Sequence, residues 1–141
     1  MIIILDFNRT IYDPETGDLM PGALELLMYA KEKGAVLHLI SKKEEGREDA
    51  LAQLGIASYF DSVVFTEEKE PAMKALIEGS PHPIYVVGDY LHNEIRFGNR
   101  YGAKTIWLRR GRFKGLSSET PEDVPWQTIE ELTKAKQYLT D

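Results

Sequence analysis

Short apolar runs alternate along the chain with segments whose apolar residues recur at helical spacing. The runs are "IIILDF" at 2–7, "AVLHLI" at 35–40, "SVVFT" at 62–66, "IYVVG" at 84–88 and "KTIWL" at 104–108. Aliphatic and β-branched residues dominate them, and their length predicts strands. Between the first two runs lies "PGALELLMYAKEKG". Pro21 suits a helix start, Leu24, Leu27 and Met28 recur at helical spacing, and Gly34 suits the stop. The same reasoning places helices near 46–54, 71–78, 92–101 and 127–139. Strand and helix alternating in this way predict right-handed crossovers and a mainly parallel five-stranded sheet with helices on both faces, a three-layer α/β sandwich. The stretch "GRFKGLSSETPEDVP", 111–125, reads as a polar loop.

Composition narrows the class. A chain of 141 residues matches one domain with a sizeable core, so neither a disulfide nor a structural metal is needed for stability. With no cysteine, thiol, redox and Cys-zinc chemistry are excluded. The net charge of -6 argues against a general nucleic-acid surface while leaving room for a local phosphate site. The first apolar run ends at Asp6 and lacks the basic start of a signal peptide, and no run is long enough to span a membrane. A cytoplasmic protein is the expectation.

Candidate chemistry follows from the strand ends. In parallel sheets ligands sit beyond the carboxyl ends of the strands, where Asp6, Ser41 and Asp89 fall. "LDFNRT" resembles the first motif of the haloacid dehalogenase (HAD) superfamily, an apolar strand followed by Asp-x-Asp-x-Thr or Val. "LHLIS" resembles its second motif, a strand ending in Ser or Thr. "EKEPAMKAL" is similar to the third, where a Lys opens a helix, and "VVGDYLHNEI" resembles the fourth, Gly-Asp followed by another acidic residue. Order, spacing and strand context agree over nearly the whole chain.

The resemblance implies a HAD-like Rossmannoid fold and a phosphohydrolase working through an aspartyl phosphate on Asp6. Ser41 would donate a hydrogen bond to a phosphoryl oxygen, and Lys69 would neutralise the nucleophile and the transferring group. Magnesium prefers hard oxygen ligands, which Asp6 and Asp89 offer. The family pattern adds the backbone carbonyl of Asn8 and, less directly, Glu94, which is one methylene longer than the usual Asp. Asn8 is also the main departure. The family's second Asp is a general acid and base, a role that contributes roughly 10²- to 10⁴-fold. An amide can do neither, so turnover should be slow or limited to activated phosphates. Asp13, in the following loop, is a conceivable substitute acid.

Substrate access is the remaining expectation. About 27 residues separate the first strand from the second and about 21 the second from the third, too few for a cap domain of roughly 50 residues or more. An open, capless site suits a phosphoprotein, or a phosphorylated small molecule enclosed by a second subunit of a homo-oligomer. A non-catalytic domain that binds a phosphorylated ligand or a protein partner is the alternative, and a structural remnant the third reading. The histidines form no cluster: His38 lies in a strand, His82 between two prolines, and His92 beside the fourth motif with a structural role favoured. Arg109, Arg110 and Arg112 could attract a second phosphate or carboxylate, although a solvated edge loop is the simpler reading.

Overall fold

A computed structural model describes all 141 residues. The main sheet contains β1 (Ile2–Asp6), β4 (Val36–Lys42), β5 (Ser62–Thr66), β6 (Ile84–Gly88), β7 (Lys104–Leu108) and β8 (Gln127–Ile129), in the order β5-β4-β1-β6-β7-β8. Every neighbouring pair is parallel. A hairpin of β2 (Tyr12–Asp13) and β3 (Asp18–Leu19) stands apart. Four α-helices complete the chain: α1 (Ala23–Glu32), α2 (Arg47–Leu54), α3 (Lys69–Ile77) and α4 (Arg96–Tyr101).

Strand residues alternate between two buried faces, as expected when helices cover both sides of a parallel sheet. Ile3, Leu5, Leu37, Leu39, Tyr85 and Val87 pack with Leu26, Leu27 and Ala30 of α1 in the larger core. Ile4, Ile40, Ile84 and Val86 turn the other way, onto Met73 and Ile77 of α3. The face of α1 differs from the expected one. Ala23, Leu26, Leu27 and Ala30 are buried, whereas Leu24 and Met28 are 43% and 55% exposed.

Several boundaries also depart from expectation. The sheet has six strands rather than five, because 127–139 is not a helix. Gln127–Ile129 pairs with β7, and a 3₁₀ segment follows over Leu132–Tyr138. Ile129, Leu132, Ala135 and Leu139 are all buried at near-helical spacing, so the periodicity records burial over a change of conformation. The segment 92–101 divides into a π-helical turn at Leu91–Ile95 and then α4. Helix α3 starts at Lys69, ahead of Pro71, which is tolerated because first-turn N–H groups lack intrahelical partners. Ser41 lies inside β4 rather than beyond it. The segment between β1 and α1 forms the hairpin, and that between β4 and β5 holds α2 and a 3₁₀ turn at Ala57–Tyr59, so no cap is evident. No helix is long and apolar enough to cross a membrane.

Candidate active site

The chain runs outward from β1 to β4 and β5, then returns to β6 on the other side of β1. Such a reversal leaves a crevice at the carboxyl ends of the strands. Asp6 ends β1 there, and Asp89 directly follows β6. The π-helical turn carries Glu94 back toward them, and its side chain accepts the Tyr90 N–H at 3.2 Å. Carboxylate oxygens of Asp6, Asp89 and Glu94 lie within 4.8 Å of one another. The three residues are 7%, 1% and 3% exposed, so their charges are poorly solvated.

Two cations enter this cluster. Lys69, the first residue of α3, places Nζ 2.5 Å from Asp6 Oδ1 and 3.5 Å from Glu94 Oε2. Burial opposes charge on Lys69, but Asp6 and Glu94 outweigh it and hold the ammonium above its ordinary pKa. Arg9 Nε donates to Asp89 Oδ2 at 3.1 Å. The Thr10 hydroxyl donates to Asp6 Oδ2 at 3.3 Å, so both oxygens of Asp6 are held. Even so, burial and the charges of Asp6 and Glu94 push Asp89 up to about 8 against the pull of Arg9. Burial and Asp6 likewise push Glu94 up to about 7, with Lys69 opposing.

These shifts mark a site short of positive charge. Three hard oxygen donors converge, and burial together with their mutual repulsion favours the protonated forms of Asp89 and Glu94 unless a further cation arrives. A divalent ion with an oxygen preference fits this donor set. The Asn8 carbonyl takes part in no backbone hydrogen bond and is a fourth available oxygen. Its neighbours fix the amide orientation: with Oδ1 toward the arginines, it accepts from Arg9 Nη1 at 2.8 Å and Arg47 Nη2 at 3.3 Å.

Asp6, Asn8, Lys69, Asp89 and Glu94 therefore line one polar cleft of about 100 Å³, together with Arg9, Lys42 and Arg47. Ser41 does not join them. It is fully buried, donates to the Lys42 carbonyl at 3.2 Å and receives a 3.3 Å bond from Arg47 Nη1. Asp13 lies in the hairpin, away from this cleft, where its Oδ1 accepts the Glu15 N–H. His38 bonds to Ser62, and burial lowers its pKa. His92 holds the Ser117 carbonyl and the Glu119 carboxylate, a structural tie between the π-helical turn and the loop beyond β7.

Arg9, Lys42 and Arg47 are the cationic residues of the cleft that sequence reasoning missed. Arg9 occupies an unspecified position of the first motif, Lys42 ends β4, and Arg47 opens a short helix whose one buried residue is Leu51. One signal for Arg9 exists only in three dimensions: it is the chain's one non-glycine residue with positive φ, at 62°. Such backbone strain concentrates at functional sites.

A parallel α/β sheet that gathers a carboxylate cluster and a lysine at its carboxyl edge is a HAD-like arrangement. The family model described as HAD-hydrolase-like matches residues 47–135, and the chain belongs to that family. It is 32% identical over 117 residues to a glyceraldehyde 3-phosphate phosphatase of Methanopyrus kandleri, an alignment covering 77% of this chain and 49% of the relative. The chain spans about half the length of the curated relatives it matches. Among solved structures, a protein from Listeria monocytogenes serotype 4b superposes with a TM-score of 0.76 at 20% identity, covering 98% of this chain and 96% of that one. The D,D-heptose 1,7-bisphosphate phosphatase of B. bronchiseptica, complexed with magnesium and phosphate, gives 0.68 at 12% identity, with coverage of 97% and 96%. Both superpositions show the fold.

Proposed function

We propose that the chain is a magnesium-dependent phosphohydrolase acting through an aspartyl phosphate on Asp6, slow or restricted to activated phosphates. The observation that carries this reading is the close approach of Lys69, Asp89 and Glu94 to the Asp6 carboxylate. A carboxylate oxygen of Asp6 attacks phosphorus in line, and the bond to the leaving oxygen breaks. Water then attacks the same phosphorus, releasing phosphate and restoring the carboxylate. Lys69 balances charge on the nucleophile and on the phosphoryl oxygens, while Lys42, Arg9 and Arg47 supply further cationic groups around a cleft of phosphoryl size. Ser41 acts through Arg47, as a positioning residue. The side chains of Asp6, Asp89 and Glu94 and the Asn8 carbonyl would hold magnesium, which when bound neutralises charge on the transferring group.

Asn8 has no proton to exchange, so the leaving oxygen must depart as a stable anion or take a proton from water. The curated relatives, named as glyceraldehyde 3-phosphate phosphatases, support a small phosphorylated metabolite as substrate. A phosphoprotein, or a small molecule enclosed by a second copy of the chain, would suit a site with no cap over it. One observation favours a second reading, a phosphate-binding domain without turnover: Asn8 is gripped by two guanidinium groups rather than by any acid or base. The deciding experiment follows release of phosphate from p-nitrophenyl phosphate and acetyl phosphate, with and without magnesium. Magnesium-dependent turnover that vanishes in Asp6→Asn is expected. Turnover that survives Asp6→Asn sinks the nucleophile assignment, and no turnover with retained phosphate binding establishes the second reading.

A further inference from the structure

A second cleft opens beside the phosphoryl site, and Arg9 lines both. Its volume is about 390 Å³, enough for the body of a metabolite that the first cleft is too small to hold. The hairpin turn contributes Asp13 and Glu15 to its lining, and the loop after β7 contributes Arg110 and Arg112. Arg109 pairs with Glu130 at 3.1 Å, but neither Arg110 nor Arg112 makes an ion pair. Gly111 stands between them in the left-handed region, at φ 71°, and turns the chain there.

Arg109 to Arg112 are solvent-exposed, as a solvated edge loop would be, but the loop is anchored on the site at Phe113. Phe113 stacks on Tyr90, the neighbour of Asp89, with ring centroids 4.3 Å apart and planes inclined by 12°. The Arg9 guanidinium lies 4.7 Å from the same ring, and that of Arg112 lies 5.3 Å from it. His92 fixes the loop further along, at Ser117 and Glu119. The anchored loop thus presents two guanidinium groups without ion pairs beside the phosphoryl cleft.

We infer that this second cleft is the leaving-group subsite and takes a phosphate ester bearing a second anionic group, a carboxylate or another phosphate, read by Arg110 and Arg112. The inference rests on the phosphohydrolase reading for the term leaving group, but the recognition is a matter of binding alone. Guanidinium forks match carboxylate and phosphate oxygens. Asp13 and Glu15, acceptors when ionised, suit hydroxyl groups on the carbon chain between the two anionic ends. Arg9, held by Asp89 and Phe113, stands at the junction of the two clefts.

Calorimetry with two stable phosphonates tests the subsite without turnover. Phosphonoacetate carries the second anion, and ethylphosphonate does not. With magnesium present, phosphonoacetate should bind at least ~10-fold more tightly, and in Arg110→Gln/Arg112→Gln the ratio should fall to near unity. Equal binding in the parent protein, a ratio unchanged in the double variant, or binding of neither compound overturns the subsite. A preserved ratio in a protein that hydrolyses nothing leaves the subsite standing and removes the catalytic reading.

Discussion

Lys69 Nζ lies 2.5 Å from Asp6 Oδ1, joining the start of α3 to the end of β1 across 63 residues of sequence. Their side chains are 10% and 7% exposed, so little solvent screens the pair. Replacing the ammonium by a methyl group leaves Asp6 beside two other carboxylates with only Thr10 and Arg9 in compensation. Lys69→Met is expected to lower aryl phosphate turnover by about 10²- to 10³-fold. Breaking such a pair costs about 3 kcal/mol, less whatever proton uptake by the carboxylates recovers. Urea denaturation measures the stability loss. Turnover within threefold of the parent would remove Lys69 from the transition-state argument.

Asn8→Asp tests whether the amide limits the reaction. A free general acid would contribute roughly 10²- to 10⁴-fold, or about 3 to 5 kcal/mol of barrier. Here the new carboxylate would meet Arg9 and Arg47, the partners that now hold the amide oxygen at 2.8 and 3.3 Å. Two guanidinium groups favour the ionised form, so only a small fraction of the enzyme carries the proton that a poor leaving oxygen needs. The expected gain with alkyl phosphates is therefore near the bottom of that range or below it, at least ~10-fold, with a smaller gain for aryl phosphates. Equal gains for both would place the limitation elsewhere.

Much of this site was legible because a carboxyl-edge residue is fixed by strand position alone. The β1 boundary fell within one residue of expectation, and Asp6, Lys69, Asp89 and Glu94 meet as three of the four motifs implied, while Ser41 of the second stays outside the cleft. What failed was information that local patterns do not carry. Arg9 and Arg47 are ordinary polar residues until the turn after β1 and the first turn of α2 are brought together. The segment 127–139 has the burial rhythm of a helix, but an open strand edge on β7 captures its first three residues. Ser41 shows the same effect on a smaller scale: pairing with Phe65 continues β4 beyond its apolar run and buries the hydroxyl.

Magnesium stabilisation should grow with pH. Asp89, pushed up to about 8, and Glu94, pushed up to about 7, keep their protons in the folded protein well above their ordinary values of 3.8 and 4.5. Between those limits the native state binds more protons than the unfolded chain, so this triad loses stability as pH rises. The contribution is fully present below the unfolded values and is gone once both groups ionise. An ion that needs the carboxylates ionised competes with those protons and binds better as they leave. The rise in thermal midpoint on adding magnesium should be larger at pH 8 than at pH 6. Equal shifts at the two values would mean that these carboxylates do not hold the ion.

Gly88→Ala should act on the same carboxylates through shape alone. A Cβ at this buried position in β6 would stand 2.2 Å from Glu94 Cγ, 2.6 Å from Oε1 and 2.8 Å from Cδ. The strand cannot yield easily, since Gly88 is in register with Trp107, whose indole N–H is bound to the Asp89 carbonyl at 2.9 Å. Glu94 must move instead, surrendering both its bond to the Tyr90 N–H and its place among the metal-facing oxygens. Overpacking of this kind costs about 1 to 3 kcal/mol. If the clash is the cause, Glu94→Ala removes the obstacle, and Gly88→Ala costs less in that background than in the parent protein. A double-mutant cycle in urea reads the stability term, and the magnesium-induced thermal shift reads the site. Gly88→Ala alone should lose most of that shift. Additive stability effects would instead mean that the added methyl group strains the sheet itself.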